Sequence, residues 1–593
     1  MKRLFSILTL LIAYWMPLTA EAAPIKVEQA RMKAVEFFTA SMPTRAVPSF
    51  ELVWDGESQA TRSSEEPALY VFNRTDADGF VIMAGDDAMA PVLGYSFTHP
   101  AGDPNLMPEN VRYWLDGLRQ MVREARDRGD AAHTLWKSEM KAGTPVRELP
   151  TALWDQGDPW NKECPVLPNG RRAVTGCVQT AAGILMKYHR WPDVPEGTVP
   201  GYTSYPHNIS MPDRTLKPYN YDLILDKYEN VNYTEEQANE VARMMVDLGT
   251  ANKASYDSET GAFTAQLVVT MGKYMRYNKQ ARCIYRAGYT DEKWIALIKS
   301  ELDANRPLIY SGEGAQGGHC FILDGYDSEN YLRFNWGWGG YLNGYFLVTS
   351  LTPQGSSFTD GQEFIANLTP DKNGTTDYSD NLMIGSNNQS KGLTLSKTEI
   401  TKGTTFTASA TIYNVAVRSY AGKVAVAVVS QTGVVENILS SEVNTTISAA
   451  QRSGGTLSIY GSSVSNLSCT MTQDASPGDR IRLVFWDNGG QHWVPMGAYT
   501  DGTVYEYILV PEAPDAASIA ESAKLSYNRT SKELSISVFA GVKVTLKSAS
   551  GSTVYQGTSE GSPIKIGVGN ATGKHTLTMQ FEESEPLTMS VVL

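Results

Sequence analysis

Cys177 is one of five cysteines in the 593-residue chain, and its surroundings set it apart from those at positions 164, 283, 320 and 469. It follows Gly176 and opens a stretch with apolar residues at helical spacing that stops at Pro192. A sulfur in the first turn of a helix faces backbone N–H groups and the positive end of the helix dipole, and both favour the thiolate. Such a thiolate is a nucleophile if a base lies close by. Without that base, a cysteine beside valine is an ordinary buried hydrophobe.

Three histidines in the same part of the chain are candidates for the base. His189 lies 12 residues along the predicted helix, about 18 Å from the sulfur and too far for proton transfer. His207 lies in a Tyr-Pro-His-Asn turn, where we expect it to be solvated. His319 opens a predicted strand, and the two glycines before it leave room for a substrate backbone. By elimination we predict that His319 is the base.

The residue after His319 is another cysteine, Cys320. Side chains alternate between the two faces of a strand, so Cys320 is expected on the face opposite His319. We therefore predict that Cys320 is a core thiol and not a second nucleophile.

A run of tryptophans and glycines, Asn335-Trp-Gly-Trp-Gly-Gly340, follows the histidine strand. Trp336 or Trp338 can shield an ion pair from water, and Asn335 can orient His319. The alternative is a structural turn whose tryptophans only fill the core. We place Asn335 and Trp336 with the catalytic group and Trp338 with the substrate-binding group.

Together these stretches resemble the streptopain family of papain-like secreted bacterial cysteine peptidases, which includes longer Bacteroidetes homologues such as interpain and periodontain. The resemblance rests on Thr-Gly-Cys-Val-x-Thr-Ala from Thr175, Gly-Gly-His-x-Phe from Gly317, and the tryptophan run. It covers about residues 25–371, because the first part of the chain is similar to the family's propeptide. That similarity lies in Tyr70–Asn73, Gly79–Asp86 and Leu93–Tyr95.

The resemblance implies a papain-like fold in which Cys177 is the nucleophile and His319 is the general base and then the general acid. It also implies that Gln156 completes an oxyanion hole with the Cys177 N–H group. Gly318, Thr260 and Gly261 match positions that line the substrate cleft. The family generally favours a bulky apolar residue two positions before the cleaved bond. Cys320 departs from the family, since streptopain has alanine there.

On this interpretation a thiolate–imidazolium pair attacks a peptide carbonyl, and water then hydrolyses the thioester acyl-enzyme. Two other classes of function stay open. One is an inactive protease-like core in an adhesion or binding protein. The other is a different Cys/His acyl-transfer enzyme, such as an amidase or a transglutaminase, because the two residues alone do not specify the acceptor.

Composition changes along the chain predict five parts, and helices followed by strands in the central part predict an α+β fold class. Residues 1–22 have the charged start, apolar centre and small-residue cleavage site of a signal peptide. Residues 23–147 are expected to be a removable propeptide, with Lys141–Arg147 as an exposed linker and cleavage between Lys141 and Trp154. Residues 148–371 are expected to form the papain-like domain. Alternating Ser, Thr and Val runs then predict a β-sandwich over 372–510 and a further β domain over 511–593.

Charge and composition exclude several partners. The net charge is −13, with 19% charged and 42% hydrophobic residues and no marked basic run, so we expect no nucleic-acid partner. No later apolar stretch is long enough to predict a membrane span. The cysteine spacing does not suggest a metal site, and we expect no metal and no cofactor. The expected partners are protein or peptide substrates and the chain's own propeptide as inhibitor, in a secreted, periplasmic or cell-surface protein. The C-terminal parts are expected to act as spacers, with binding to a surface or a glycan as the alternative.

Overall fold

The computed structural model describes residues 23–41, 47–55, 66–103, 107, 109–128, 136, 143–314, 317–347, 360–374, 377–386, 391–453, 456–510, 519, 523–528, 531–538, 541–560, 562–568, 573–581 and 586–592. The predicted signal peptide, residues 1–22, lies outside the described residues. We refer below to the N-terminal segment (23–147), the central segment (148–371), the sandwich segment (372–510) and the C-terminal segment (511–593).

The N-terminal segment consists of helices packed on short antiparallel strands. Its elements are α1 (Val27–Ser41), β1 (Phe50–Trp54), β2 (Leu69–Arg74), β3 (Phe80–Ala84), β4 (Val92–Ser96), α2 (Glu109–Arg128) and β5 (Pro145–Glu148), the last of which ends one residue into the central segment. The predicted helical spacing of α1 is correct, since Ala30, Ala34, Phe37 and Phe38 are buried on one side.

The central segment has helices first and a β-sheet later. Its elements are α3 (Cys177–His189), β6 (Thr198–Val199), β7 (Tyr202–Ser204), β8 (Ile209–Met211), β9 (Arg214–Thr215), α4 (Glu235–Ala251), α5 (Gln266–Tyr274), β10 (Arg282–Tyr285), α6 (Asp291–Asp303), β11 (Leu308–Gly314), β12 (Gly317–Asp327), β13 (Leu332–Asn335), β14 (Gly344–Phe346) and β15 (Asp360–Ala366). The predicted capping box is present at α4, where the Thr234 hydroxyl accepts from the Gln237 N–H and the Gln237 amide oxygen accepts from the Thr234 N–H. The fold is thus a mixture of helices and sheet with a large β content.

One large sheet runs through the N-terminal and central segments. Its strand order is β1-β2-β3-β4-β14-β13-β12-β11-β15-β10, and β5 pairs with β12 beside this path. The two segments join where β4 pairs antiparallel with β14, with Tyr95 opposite Tyr345 and Gly94 opposite Phe346. The strand that carries His319 therefore lies in the same sheet as the N-terminal segment.

The exposed linker expected at Lys141–Arg147 includes part of a β-strand. Residues 141–142 lie outside the described residues, but Pro145–Glu148 form β5, whose Glu148 pairs with Gly325 of β12. The side chains of β5 are mostly exposed. The backbone pairing is long-range and leaves no trace in the local composition.

The sandwich segment consists of a five-stranded and a six-stranded sheet that pack through one apolar core, and of a separate two-stranded sheet. Its strands are β16 (Leu382–Gly385), β17 (Thr394–Leu395), β18 (Thr405–Asn414), β19 (Tyr420–Val429), β20 (Val435–Ile438), β21 (Val443–Ile447), β22 (Gln451–Ser453), β23 (Thr456–Ser458), β24 (Tyr460–Thr470), β25 (Arg480–Asp487), β26 (His492–Pro495), β27 (Gly497–Ala498) and β28 (Glu506–Ile508), and β22-β23 is the separate sheet. Alternate residues of β18 and β19, such as Phe406, Ile412 and Val426, meet in the shared core.

The C-terminal segment forms two smaller sheets with a core of their own that includes Ile536, Val544 and Leu577. Its strands are β29 (Lys524–Asn528), β30 (Glu533–Ser537), β31 (Val542–Lys547), β32 (Thr553–Thr558), β33 (Ile564–Gly567), β34 (Lys574–Phe581) and β35 (Leu587–Val592). Across the described ranges, no helix combines the length and the apolar character that a membrane crossing requires.

A buried carboxylate fixes the sandwich segment against the central segment. Asp487, which is fully buried, accepts backbone N–H groups of Asp380 (2.8 Å) and Gly490 (3.1 Å). It also forms an ion pair with the guanidinium of Arg282 in β10. Arg282 in turn donates from Nε to the Asp380 carbonyl (3.1 Å). One carboxylate therefore satisfies donors from both segments.

We expect Asp487→Ala to destabilise the junction by about 3 kcal/mol, because removal of one partner leaves Arg282 and two backbone donors unpaired. Guanidinium-induced unfolding, followed by the fluorescence of Trp486 and Trp493, measures the change. Glu442→Ala is the matched control, since its ion pair with Lys423 is exposed and such a pair contributes about 0–1 kcal/mol. Equal effects of the two substitutions would contradict this account of the junction.

Candidate active site

Cys177 is the first residue of α3, and a glycine in an unusual conformation presents it. Gly176 has φ 90°, and a β-carbon there would lie 2.7 Å from the Thr260 carbonyl oxygen. Only glycine fits this turn without strain. The apolar residues predicted to face the core are buried, and the helix ends at His189, followed by Arg190 in the left-handed region. The predicted placement of the sulfur at a helix start is therefore correct.

The Cys177 thiol is a hydrogen-bond acceptor at the edge of a buried cluster. Backbone N–H groups of Cys320, Val178 and Cys177 itself hydrogen-bond to the sulfur and favour its thiolate. Burial acts in the opposite direction and is the larger effect, so the pKa of the Cys177 thiol is raised above its ordinary value. In this structure the sulfur is therefore a neutral thiol near pH 7.

His319 lies in an aromatic cluster and is only 2% exposed. Its ring stacks on Trp338 with centroids 4.5 Å apart, and Nε2 lies 3.1 Å from the Trp336 carbonyl oxygen. Burial lowers the pKa of His319 to about 4, although the Trp336 carbonyl partly offsets this effect. The imidazole is therefore neutral at physiological pH and carries no charge to stabilise a thiolate.

The sulfur and the imidazole lie on opposite faces of β12. Cys320 and Ile322 belong to the cluster on which Cys177 packs, whereas Phe321 packs with Trp336 in the other cluster. The His319 ring lies with Phe321, at a centroid distance of 5.9 Å. The predicted alternation of His319 and Cys320 is correct, but Cys320 and not His319 faces Cys177.

A series of aromatic rings connects the N-terminal segment to His319. Phe80 of β3 packs on Phe346 (6.3 Å between centroids), which packs on Trp336 (5.5 Å). Trp336 stacks on Trp338 (5.3 Å, 6° between planes), and Trp338 stacks on His319. The N-terminal segment thus contributes to the packing that holds the imidazole away from the sulfur.

Asn335 does not orient His319 in this structure. Its Nδ2 donates to Thr151 Oγ1 (3.0 Å) and to the Ala152 carbonyl (2.9 Å), and its Oδ1 accepts from the Gly337 N–H (3.2 Å). Asn335 pairs with Ile322 in the sheet, so it lies on the Cys177 side of β12. Successive side chains of a strand point to opposite faces, so Asn335 and Trp336 lie on different sides of the sheet. His319 lies on the side of Trp336, away from the Asn335 side chain.

The remaining predicted site residues divide between the two faces. Gln156 lies beside the start of α3, since its carbonyl accepts from the Thr175 N–H (3.0 Å). Thr260 is on the same side, with its hydroxyl donating to the Val174 carbonyl (2.7 Å), and Gly261 faces open space. Gly318, the residue before His319, is exposed. Cys177, Gln156, Thr260 and Gly261 are therefore close together, and His319 is apart with Trp336 and Trp338.

The two other histidines are engaged elsewhere. His189 lies at the far end of α3 with Nδ1 3.0 Å from the Tyr277 hydroxyl, and burial lowers its pKa to about 4. His207 was expected to be solvated, but it is half-buried, with Nε2 3.2 Å from Asp257 Oδ1. A sequence gives no sign of this pairing, because the two residues are 50 positions apart.

Two features beside Cys177 were not predicted from the sequence. Gln179 in α3 is fully buried, and neither of its amide atoms has a hydrogen-bond partner among the described residues. A glutamine between the apolar residues of the helix was the available signal. The second feature is the backbone N–H group of Cys320, which favours the Cys177 thiolate. Every residue except proline has such a group, so the amino-acid sequence gives no sign of this interaction. All five cysteines are free thiols.

Residues 154–346 match the model of the Peptidase C10 family, and residues 22–122 match that of the Spi protease inhibitor. The segment 154–346 is therefore similar to the Peptidase C10 family. We call it the C10 segment. The predicted relationship to streptopain is confirmed, and the match supports a cysteine-type peptidase.

Individual relatives agree with the family match. The thiol protease/hemagglutinin PrtT of Porphyromonas gingivalis is 31% identical over 397 residues, which are 63% of this chain and 45% of PrtT. Streptopain of Streptococcus pyogenes is 29% identical over 302 residues, which are 48% of this chain and 75% of streptopain. The chain thus spans less than half the length of PrtT. Among solved structures, a fragment of prointerpain A from Prevotella intermedia is 26% identical and covers 54% of this chain and 99% of the fragment, with a TM-score of 0.43.

We expect iodoacetamide to modify Cys177 slowly in the intact chain at pH 7. The pKa of the thiol is raised, so the thiolate fraction, and with it the rate, grows only as the pH rises above the ordinary thiol range. Short pulses of reagent and mass spectrometry of the Cys177 peptide give the rate at each pH. Cys164, whose pKa burial raises to about 12, is the internal control and should react still more slowly. A plateau of fast modification below pH 6 would instead indicate a preformed thiolate–imidazolium pair.

Proposed function

We propose that this protein is a secreted cysteine endopeptidase, made as a zymogen, that hydrolyses peptide bonds in proteins through Cys177 and His319. One observation carries the proposal: the C10 segment contains a cysteine at a helix start and a histidine in the adjoining strand, and a segment matching a protease inhibitor precedes it. In this proposal residues 1–22 are the signal peptide, 23–147 the propeptide and 148–371 the papain-like domain. Residues 372–510 and 511–593 are separate β domains.

In the reaction, the Cys177 sulfur attacks the carbonyl carbon of the scissile peptide bond as its proton passes to His319. The oxyanion that forms accepts hydrogen bonds from the Cys177 N–H group and the Gln156 side chain. The imidazolium of His319 then donates its proton to the leaving amine, and a thioester remains. Water, deprotonated by His319, adds to the thioester and releases the acid and the free thiol. No step requires a metal ion or a cofactor.

The intact chain is latent because the two reacting groups are apart and uncharged. Burial favours the neutral form of both, and the aromatic series from Phe80 to His319 stabilises this arrangement. A one-residue change in alternation moves a side chain to the other face of a strand. Activation therefore consists of removing the N-terminal segment and turning the residues before Cys320, so that the imidazole reaches the Cys177 side of β12.

A second candidate is favoured by the same separation. If His319 keeps its place in the aromatic cluster after the N-terminal segment is removed, the C10 segment is catalytically silent and the protein is a binding or adhesion protein. Hydrolysis of casein by the trimmed chain, blocked by an epoxide inhibitor of thiol proteases, distinguishes the two. Transfer to an added amine instead of water would indicate an amidase or transglutaminase type of reaction.

We expect Cys177→Ala to abolish casein hydrolysis and Gln156→Ala to lower kcat by about 10²–10³-fold, the usual cost of one oxyanion-hole donor. Both trimmed variants should keep the wild-type melting temperature. Gln556→Ala, at an exposed position of β32, is the matched control and should keep full activity. A Gln156→Ala protein with unchanged kcat would remove Gln156 from the mechanism while leaving Cys177 in it.

We expect Gly94→Leu to make the intact chain less latent, with a more reactive Cys177 and faster removal of the N-terminal segment. A β-carbon at this position collides with the Phe346 ring, so a larger side chain separates β4 from β14 and loosens the aromatic series. Cys177 alkylation at pH 7 and N-terminal trimming should both become faster, as followed by mass spectrometry and N-terminal sequencing, with the cut between Lys141 and Trp154. Met32→Leu, at an exposed position of α1, should change neither rate. Trimming at an identical site in a Cys177→Ala protein, with no other protease present, would exclude self-processing.

A further inference from the structure

A cavity of about 470 Å³ lies where the central and sandwich segments meet. The central segment contributes aromatic side chains to its wall, namely Tyr202, Tyr205 and Phe263. The sandwich segment contributes small apolar side chains from two loops, at 415–417 and 449–450. The volume lies within the range of ligand-binding pockets. Both segments are needed to form it.

The wall of the cavity is connected to residues beside Cys177. Ala265 lines the cavity and packs on the same buried cluster as Cys177. Ser255, on the cavity wall, exchanges two backbone hydrogen bonds with Gly261 (2.8 and 3.2 Å), the residue that follows Thr260. The Thr260 carbonyl lies against Gly176, so residues 255–261 join the cavity wall to the start of α3.

The lining has the chemistry that recognises an uncharged stretch of polypeptide. Lys253 is the one charged residue among those that form the wall. The rings offer amphipathic contact area, and Tyr205 is 49% exposed. Thr203, Gln266 and Gln451 supply hydroxyl and amide groups, which can donate to a peptide carbonyl and accept from a peptide N–H. This mixture suits apolar side chains on an extended backbone.

The central and sandwich segments, which form the two walls of the cavity, are fixed relative to each other. Beyond the Arg282–Asp487 ion pair, Tyr505 donates from its hydroxyl to the Gly288 carbonyl (2.6 Å), and Asn381 Nδ2 donates to the Cys283 carbonyl (3.0 Å). The Tyr285 and Tyr499 rings pack edge to face at 5.6 Å. The sandwich segment is therefore held in one place on the central segment, as a preformed binding site requires.

We infer that this cavity binds a stretch of the protein substrate that lies several residues from the scissile bond and carries apolar or aromatic side chains. The inference rests on the proposed peptidase function and assigns the sandwich segment a part in substrate binding. Binding energy gained there is available only to substrates long enough to reach the cavity, so it favours long polypeptides over short peptides.

The test uses the trimmed chain and a casein peptide that the wild type cuts, together with versions of that peptide shortened from either end. Val417→Arg, at a half-exposed position, and Ala449→Phe both fill the cavity from the sandwich side. We expect each to lower kcat/KM for the long peptide by at least about tenfold and to leave the shortest cleaved peptide unaffected. The wild type should show the same loss when the peptide is shortened.

Val434→Arg is the matched control. Val434 is 60% exposed in the turn after β19, the end of that strand remote from Val417, roughly 33 Å away at strand spacing. It should not change kcat/KM for either peptide. Two results would overturn the inference: variants that cut long and short peptides as the wild type does, or variants that lose equally on both.

Binding separates this inference from the proposed function. In a Cys177→Ala background, fluorescence anisotropy of the labelled long peptide should show binding that Val417→Arg weakens by at least about tenfold and Val434→Arg does not. If the wild type cuts no peptide but the Cys177→Ala chain binds one in this manner, the peptidase function fails and the cavity site stands. If casein is cut but the long peptide binds equally well to all variants, the cavity site fails alone.

Discussion

The alternation of side chains along β12 is the constraint on which the rest of this structure depends. The strand separates two buried clusters, so each of its buried apolar side chains belongs to one or the other. Cys320 and Ile322 occupy the cluster beside the nucleophile helix, and His319 and Phe321 occupy the aromatic one. No rotamer change exchanges these positions, because the choice is made by the backbone. In the proposed zymogen, latency is thus a property of strand geometry.

The electrostatics of the two groups follow from that geometry. A thiolate and an imidazolium stabilise each other only when they are close, and each is disfavoured by burial when it is alone. Backbone N–H groups favour the Cys177 thiolate and the Trp336 carbonyl favours the His319 imidazolium, but burial outweighs these contributions in both cases. Separation and charge loss therefore reinforce each other. A partial opening that hydrates one group without bringing in the other does not generate the reactive pair.

Local features of this chain were predictable from sequence because they depend on neighbouring residues. The start of α3 after Gly176, the capping box at Thr234 and the alternation of His319 and Cys320 are all correct. The face of the sheet that His319 occupies was not predictable, since it depends on the pairing of β12 with β11 and β13 and on the aromatic contacts from Phe80. Two contacts were not predicted for the same reason. The pairing of β5 with Gly325 and the pairing of His207 with Asp257 both join residues that are remote in sequence.

The pairing of β4 with β14 also has a consequence for the trimmed protein. Once the N-terminal segment has gone, the backbone N–H and C=O groups of Gly344–Phe346 that faced β4 become an uncovered sheet margin, the kind of surface that recruits a strand from another chain. Its shortness, three residues, limits how much of a foreign strand it can hold. In the proposed trimmed form, the brevity of β14 therefore restrains self-association.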